Sequence, residues 1–132
     1  MKWVSQGKKK RSFKRFFCGF NYAFHGFFSS LKTECNLIIE VIMGVLALVL
    51  GFLLKLSSIE FCIVILCIAL VISAELINTA IEHTVDMAMP EKHPLAKMAK
   101  DASAGGVLFS SIGALVIGII IYLPKVIDLF ST

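Results

Sequence analysis

Residues 102–123 run for 22 positions without a charge, and two further stretches of this chain approach them in length and apolarity. Residues 37–54 are broken only by Glu40, and residues 61–74 continue directly into the motif AELINTAIEHTVD, Ala74 to Asp86. A hydrocarbon core is spanned by roughly 20 helical residues. Inside it every backbone N–H and C=O must be satisfied within the protein, which leaves helices or closed barrels. With 132 residues, 58% of them hydrophobic, and a mean hydropathy of +0.87, the chain has too small an interior to hide its apolar side chains. The expected architecture is a single all-α membrane domain over 1–132, with transmembrane helices at 37–55, 60–82 and 102–124.

Charge placement predicts the orientation. Eight of the 13 basic residues (Lys2, Lys8, Lys9, Lys10, Arg11, Lys14, Arg15, Lys32) precede the first span, and Lys92, Lys97 and Lys100 lie between the second and third. Basic residues in short flanking segments stay cytoplasmic. The N-terminus and the 82–101 loop are therefore expected inside, and the turn at 55–60 and the C-terminus outside. The net charge of +4 then reflects topology and anionic headgroups rather than nucleic acid. The basic N-terminus lacks the small-residue cleavage site of a signal peptide.

After a basic tail at 1–12, Phe13, Phe16, Phe17, Phe20, Phe24, Phe27, Phe28 and Leu31 recur every three or four residues, the spacing of one helical face. Lys14, Arg15, Asn21, His25 and Lys32 occupy other positions. An amphipathic helix at 13–33, lying in the membrane interface, accounts for both sets. Small residues at Ala102, Gly106 and Ser110, and at Gly44 and Gly51, mark faces where helices approach closely, within the chain or between copies. Cys18, Cys35, Cys62 and Cys67 form no CxxC pair and read as reduced packing residues.

The motif places Glu75, Asn78, Glu82 and Asp86 at about 0°, −60°, −20° and +20° around a helix that advances about 100° per residue. Charges deep in lipid cost about 2.5–3.5 kcal/mol each on insertion scales, so an aligned set points to a site. A purely structural alternative pairs these acids with Lys97 or Lys100 of the following segment. Carboxylates converging at a membrane surface suit Mg²⁺, which takes oxygen ligands and leaves positions for phosphate. Arg15, Lys97 and Lys100 supply cations for phosphates, as phosphoryl transfer requires. Glu75 lies deepest of the motif's carboxylates, a placement suited to a proton acceptor. No phosphate loop GxxxxGK[ST], GxGxxG or HExxH is present, and His25, His83 and His93 share no metal-ligand spacing. A kinase of this kind would be all-helical.

The chain resembles the small integral-membrane lipid kinases of bacteria, the diacylglycerol kinase and undecaprenol kinase family. The resemblance rests on AELINTAIEHTVD, on EKHPLAKMAKDASAG before the third span, on Glu34 and Asn36 of ECN, and on FKRFF with Tyr22 and Gly26. It covers about residues 13–124 and implies a homotrimer with active sites shared between neighbours in the bacterial inner (plasma) membrane. It further implies Glu75 as catalytic base toward the lipid hydroxyl, Glu34 and Glu82 as carboxylates holding Mg²⁺ on the ATP phosphates, and Asn78 beside Glu75 at the substrate. Arg15, Tyr22, Glu91, His93, Lys100 and Asp101, with Glu34 and Glu82, fall at its ATP-binding positions.

Two departures bear on the substrate. HPLAKMAKD and YLPKV resemble the undecaprenol-phosphorylating branch, whereas Glu40 resembles the diacylglycerol-phosphorylating branch; undecaprenol is favoured. His25 replaces a Lys frequent in the family, and Asp86 has no assigned role. A small proton-coupled transporter would also carry an intramembrane Glu75, but it has no need of Glu34, Glu82 and Lys100 at one mouth. A membrane scaffold would leave the polar stripe unexplained.

Overall fold

In the computed structural model residues 13–131 are described, so the basic tail expected at 1–12 lies outside the described residues. Four helices are present and no strand among those residues: α1 (Phe13–Thr33), α2 (Cys35–Leu53), α3 (Ser58–Ala88) and α4 (Pro94–Phe130). The last three are each long and apolar enough to cross a membrane. The chain is an all-α protein with three helices of spanning length.

Helix α1 covers the residues that the phenylalanine periodicity marks. Its rings meet along the helix at steep angles, Phe13 with Phe17 and Phe16 with Phe20, with centroids 5.8 and 5.2 Å apart. This large apolar face stays exposed on the isolated chain. A single extended residue, Glu34 (φ −105°, ψ 109°), separates α1 from α2. The reversal between α2 and α3 is equally tight. Lys55 takes a left-handed conformation with φ 53°, and the Leu56 N–H donates to the Gly51 carbonyl at 3.0 Å, so the free carbonyls of the helix end are satisfied. Helix α3 opens with a capping box: the Ser57 N–H donates to Glu60 Oε2 at 2.7 Å, and the Glu60 N–H to Ser57 Oγ at 3.3 Å.

Helices α3 and α4 extend beyond the spans read from hydropathy. The expected loop at 82–101 shrinks to residues 89–93, because α3 continues to Ala88 and α4 begins at Pro94. Hydropathy marks where lipid ends, whereas helices end where caps and prolines intervene. Here His93 Nδ1 accepts from the Leu95 N–H at 3.2 Å, and Pro94 occupies the first turn, where its missing N–H costs nothing. Lys97, Lys100 and Asp101 are thereby helical residues of fixed direction.

Helix α3 packs most extensively on α4, and α2 packs on α3. Close approach uses the two α2 glycines. A Cβ at Gly44 would sit 3.0 Å from Ile68 Cγ2, and one at Gly51 would sit 3.1 Å from the Tyr122 hydroxyl. That hydroxyl donates to the Ala47 carbonyl at 2.6 Å, tying α4 to α2. Nearby, Lys125 and Glu60 form an ion pair at 3.1 Å between α4 and α3. By contrast, Gly106 faces open space, so the Ala102–Gly106 face is not used within the chain. Only Leu37, Val64 and Ile121 are buried apolar residues among those described, and the spans turn most of their side chains outward.

Replacing Gly51 by Leu is expected to lower the unfolding free energy in detergent by about 1–3 kcal/mol through overpacking. Tyr122→Phe should cost about 1 kcal/mol, the net worth of one hydrogen bond. Unchanged melting of both variants would show that the α2–α4 contact contributes nothing.

Candidate active site

At the end of the bundle where α1 meets α2, the short connection fixes one carboxylate and the α3 stripe supplies others. Glu34 is the junction residue itself, with its side chain 28% exposed. Glu75 is 3% exposed, Asn78 and Thr79 are also buried, and Glu82 is half-buried. Glu34 and Glu82 are both close enough to Glu75 for their charges to act on it, and the Asn36 side chain, from the first turn of α2, lies beside the Glu75 carboxylate. Glu40, one turn further along α2, also interacts electrostatically with Glu75. Thus the α1–α2 junction, α2 and α3 bring four carboxylates into one region.

The polar seam continues into α4. Asn78 Nδ2 donates to Glu82 Oε1 at 3.2 Å, and Ser103 Oγ lies 2.7 Å from Asn78 Oδ1 and 2.9 Å from the Lys100 carbonyl. Lys100 Nζ pairs with Asp86 Oδ1 at 2.5 Å, and Lys97 pairs with Asp101 within α4. Asp86 thus joins α3 to α4 through Lys100, as the structural alternative expects of the stripe's acids, while among the described residues no lysine pairs with Glu75 or Glu82. His83 Nε2 stands 3.9 Å from Glu34 Oε1.

Among the described residues no three His, Cys, Asp or Glu side chains are spaced to form a metal cage. Mg²⁺ rarely uses one; it takes one or two carboxylates and completes its shell with water and phosphate oxygens. Glu34 and Glu82, hard oxygen donors flanking the same buried acid, fit that requirement. Of the other expected ATP-binding residues, Arg15, Tyr22 and Glu91 are exposed and join no described part of this cluster. The ring of His93 serves as the α4 cap.

Next to Glu40, α2, α3 and α4 form an open groove of about 680 Å³, almost wholly apolar, lined by Met43, Leu50, Val71, Leu115 and Tyr122 with Glu40 among them. Glu40 Oε2 and Thr79 Oγ1 are buried without a hydrogen-bond partner among the described residues. Sequence reading missed Ser103, because its link to Asn78 crosses 25 positions and has no local periodicity. It also left Glu40 and Asp86 without roles, since a helix wheel orders one helix and does not show what faces it.

Fold and site together define a polytopic membrane protein with an acidic, partly buried centre next to an apolar groove. Residues 21–122 match the prokaryotic diacylglycerol kinase family. The chain is 43% identical over 116 residues to an undecaprenol kinase of Bacillus subtilis, covering 88% of this chain and 94% of that protein. It is 37% identical over 111 residues to a diacylglycerol kinase of Synechocystis, covering 83% and 63% of the two, and 35% identical over 94 residues to a diacylglycerol kinase of Pseudomonas aeruginosa, covering 71% and 76%. The chain belongs to the prokaryotic diacylglycerol kinase family. It is a lipid kinase and a multi-pass bacterial membrane protein.

The Asp86–Lys100 pair is partly exposed, with side chains 62% and 34% accessible; pairs of this kind stabilise by about 0–1 kcal/mol. Asp86→Asn should accordingly shift the unfolding free energy by less than about 1 kcal/mol. A loss of several kcal/mol in a detergent melt would make the pair a principal tie between α3 and α4.

Proposed function

We propose that the protein transfers the γ-phosphoryl group of ATP to the hydroxyl of a membrane lipid alcohol, with undecaprenol favoured over diacylglycerol. The single observation that carries this reading is the burial of Glu75 among Glu34, Glu82 and Asn36 in a chain of this family. The apolar groove next to Glu40 supports it, since a lipid chain needs a water-free path to the same place. The 43% identity to the undecaprenol kinase and the HPLAKMAKD and YLPKV segments favour undecaprenol; Glu40 favours diacylglycerol. The distribution of lysine and arginine supports a cytoplasmic N-terminus and a cytoplasmic acidic centre.

In this mechanism Glu75 accepts the proton of the lipid hydroxyl. As that oxygen bonds to the γ-phosphorus, the bond from phosphorus to the β,γ-bridging oxygen breaks and ADP leaves. Asn36 and the protein around Glu75 hold its carboxylate in place and keep water away from it. Glu34 and Glu82 would hold Mg²⁺, which would supply positive charge to offset that of the phosphates. Lys100, carried by α4, places a cation at the phosphates; Arg15, Tyr22, Glu91, His93 and Asp101 complete the nucleotide contacts. Asn78 orders the space between the acid that takes the proton and the acid that holds the metal. Self-association into a trimer would bring further residues of neighbouring chains to the same mouth, and the unused Ala102–Gly106 face supports such association.

Purified protein incubated with Mg-ATP and a mixture of undecaprenol and diacylglycerol is expected to yield phosphorylated lipid, predominantly undecaprenyl phosphate. Absence of any phosphorylated lipid would refute the reading, and a predominance of phosphatidic acid would reverse the substrate preference. Glu75→Gln should retain ATP affinity and lose transfer by about 10²-fold or more, the scale of a removed general base; near-normal transfer would remove Glu75 from that role. Glu82→Gln should raise the Mg²⁺ concentration needed for half-maximal rate, and an unchanged metal titration would count against Glu82 as a ligand.

A further inference from the structure

The polar seam between α3 and α4 contains one member without a role in the scheme above. Ser103 lies on α4, half-buried, and its hydroxyl is 2.7 Å from Asn78 Oδ1. Asn78 is 8% exposed, and its Nδ2 donates to Glu82 Oε1 at 3.2 Å. A buried side-chain amide must satisfy an acceptor oxygen and an NH₂ donor in different directions. Glu82, when ionised, only accepts, so it takes the NH₂ end. The oxygen end then requires a donor, and Ser103 is its only hydrogen-bond donor among the described residues. The Ser103 proton has one alternative acceptor, the Lys100 carbonyl at 2.9 Å, so the same hydroxyl touches the backbone of the phosphate-binding lysine.

We infer that Ser103 is a positioning residue of the active centre: it holds the Asn78 amide with Nδ2 turned to Glu82, leaving the second carboxylate oxygen of Glu82 free for a divalent cation. This rests on the proposed role of Glu82. Without the hydroxyl, Asn78 Oδ1 is buried unsatisfied, a condition that proteins relieve by rotating the group or admitting water. Either response releases the hydrogen bond to Glu82. The register is set by helix packing, because Asn78 and Ser103 face each other only where α3 lies on α4.

The experiment uses the purified full-length protein in detergent with Mn²⁺ and a non-hydrolysable ATP analogue, reading bound Mn²⁺ by electron paramagnetic resonance. Ser103→Ala is expected to weaken Mn²⁺ binding about tenfold, the lower end of the roughly 10–100-fold losses seen when a group orienting a metal ligand is removed. Ser103→Thr, which retains the hydroxyl, should bind as wild type does. In an Asn78→Ala background, Ser103→Ala should add no further loss. Equal binding by Ser103→Ala and wild type overturns the inference, as does a Ser103→Thr protein as weak as Ser103→Ala, or additive losses in the double variant. Should Ser103→Ala fail to fold, Ser103→Cys, a weak donor of similar size, is expected to bind Mn²⁺ with intermediate affinity; wild-type binding by Ser103→Cys then overturns the inference. A wild-type protein that binds no Mn²⁺ and phosphorylates no lipid refutes the kinase reading itself, an outcome distinct from all of these.

Discussion

Most of the apolar surface of this chain faces outward, toward lipid or neighbouring helices, rather than into a packed interior. Only three apolar residues are buried among those described, while leucine, isoleucine, valine and phenylalanine side chains cover the outside of every spanning helix. Because hydrocarbon is as good a solvent for these side chains as another helix, burial gives little preference for one arrangement of helices over another. The arrangement must come from close backbone approach and from polar groups with nowhere else to go. Gly44 and Gly51 provide the first on α2, and the Asn78–Ser103 contact and the Tyr122–Ala47 hydrogen bond provide the second.

That constraint makes the centre and the fold difficult to separate. Asn78 fixes α3 against α4 through Ser103, and the same amide donates to Glu82. Asn36, from α2, lies beside Glu75. In Asn78, a group expensive to bury in lipid thus serves packing and placement at once. The far end of the bundle shows the contrast. There the Glu60 capping box and its ion pair with Lys125 secure a turn between helices, with no accompanying cluster of acids among the described residues.

How much was legible beforehand depended on whether a signal lay within one helix. The phenylalanine face of α1 and the alignment of Glu75, Asn78 and Glu82 follow from a fixed period, and both could be read residue by residue. The ends of α3 and α4 could not be read from hydropathy, since both helices leave the apolar region and continue through polar residues until a cap or a proline intervenes. The segment expected as a loop therefore became the first turns of α4, which carry Lys97, Lys100 and Asp101 in defined directions.

The sequence by itself determined that the chain is a helical membrane protein, that one face of one helix carries acids, and that its motifs are those of a prokaryotic lipid kinase family, because each depends on local composition or spacing. The tertiary structure decided which acids stand together and what partners them: Glu34 from the α1–α2 junction and Asn36 from α2 beside Glu75, Lys100 paired with Asp86, and Ser103 behind Asn78. These are contacts between helices, and their geometry exists only once backbones approach at the glycines and the register of α3 on α4 is set.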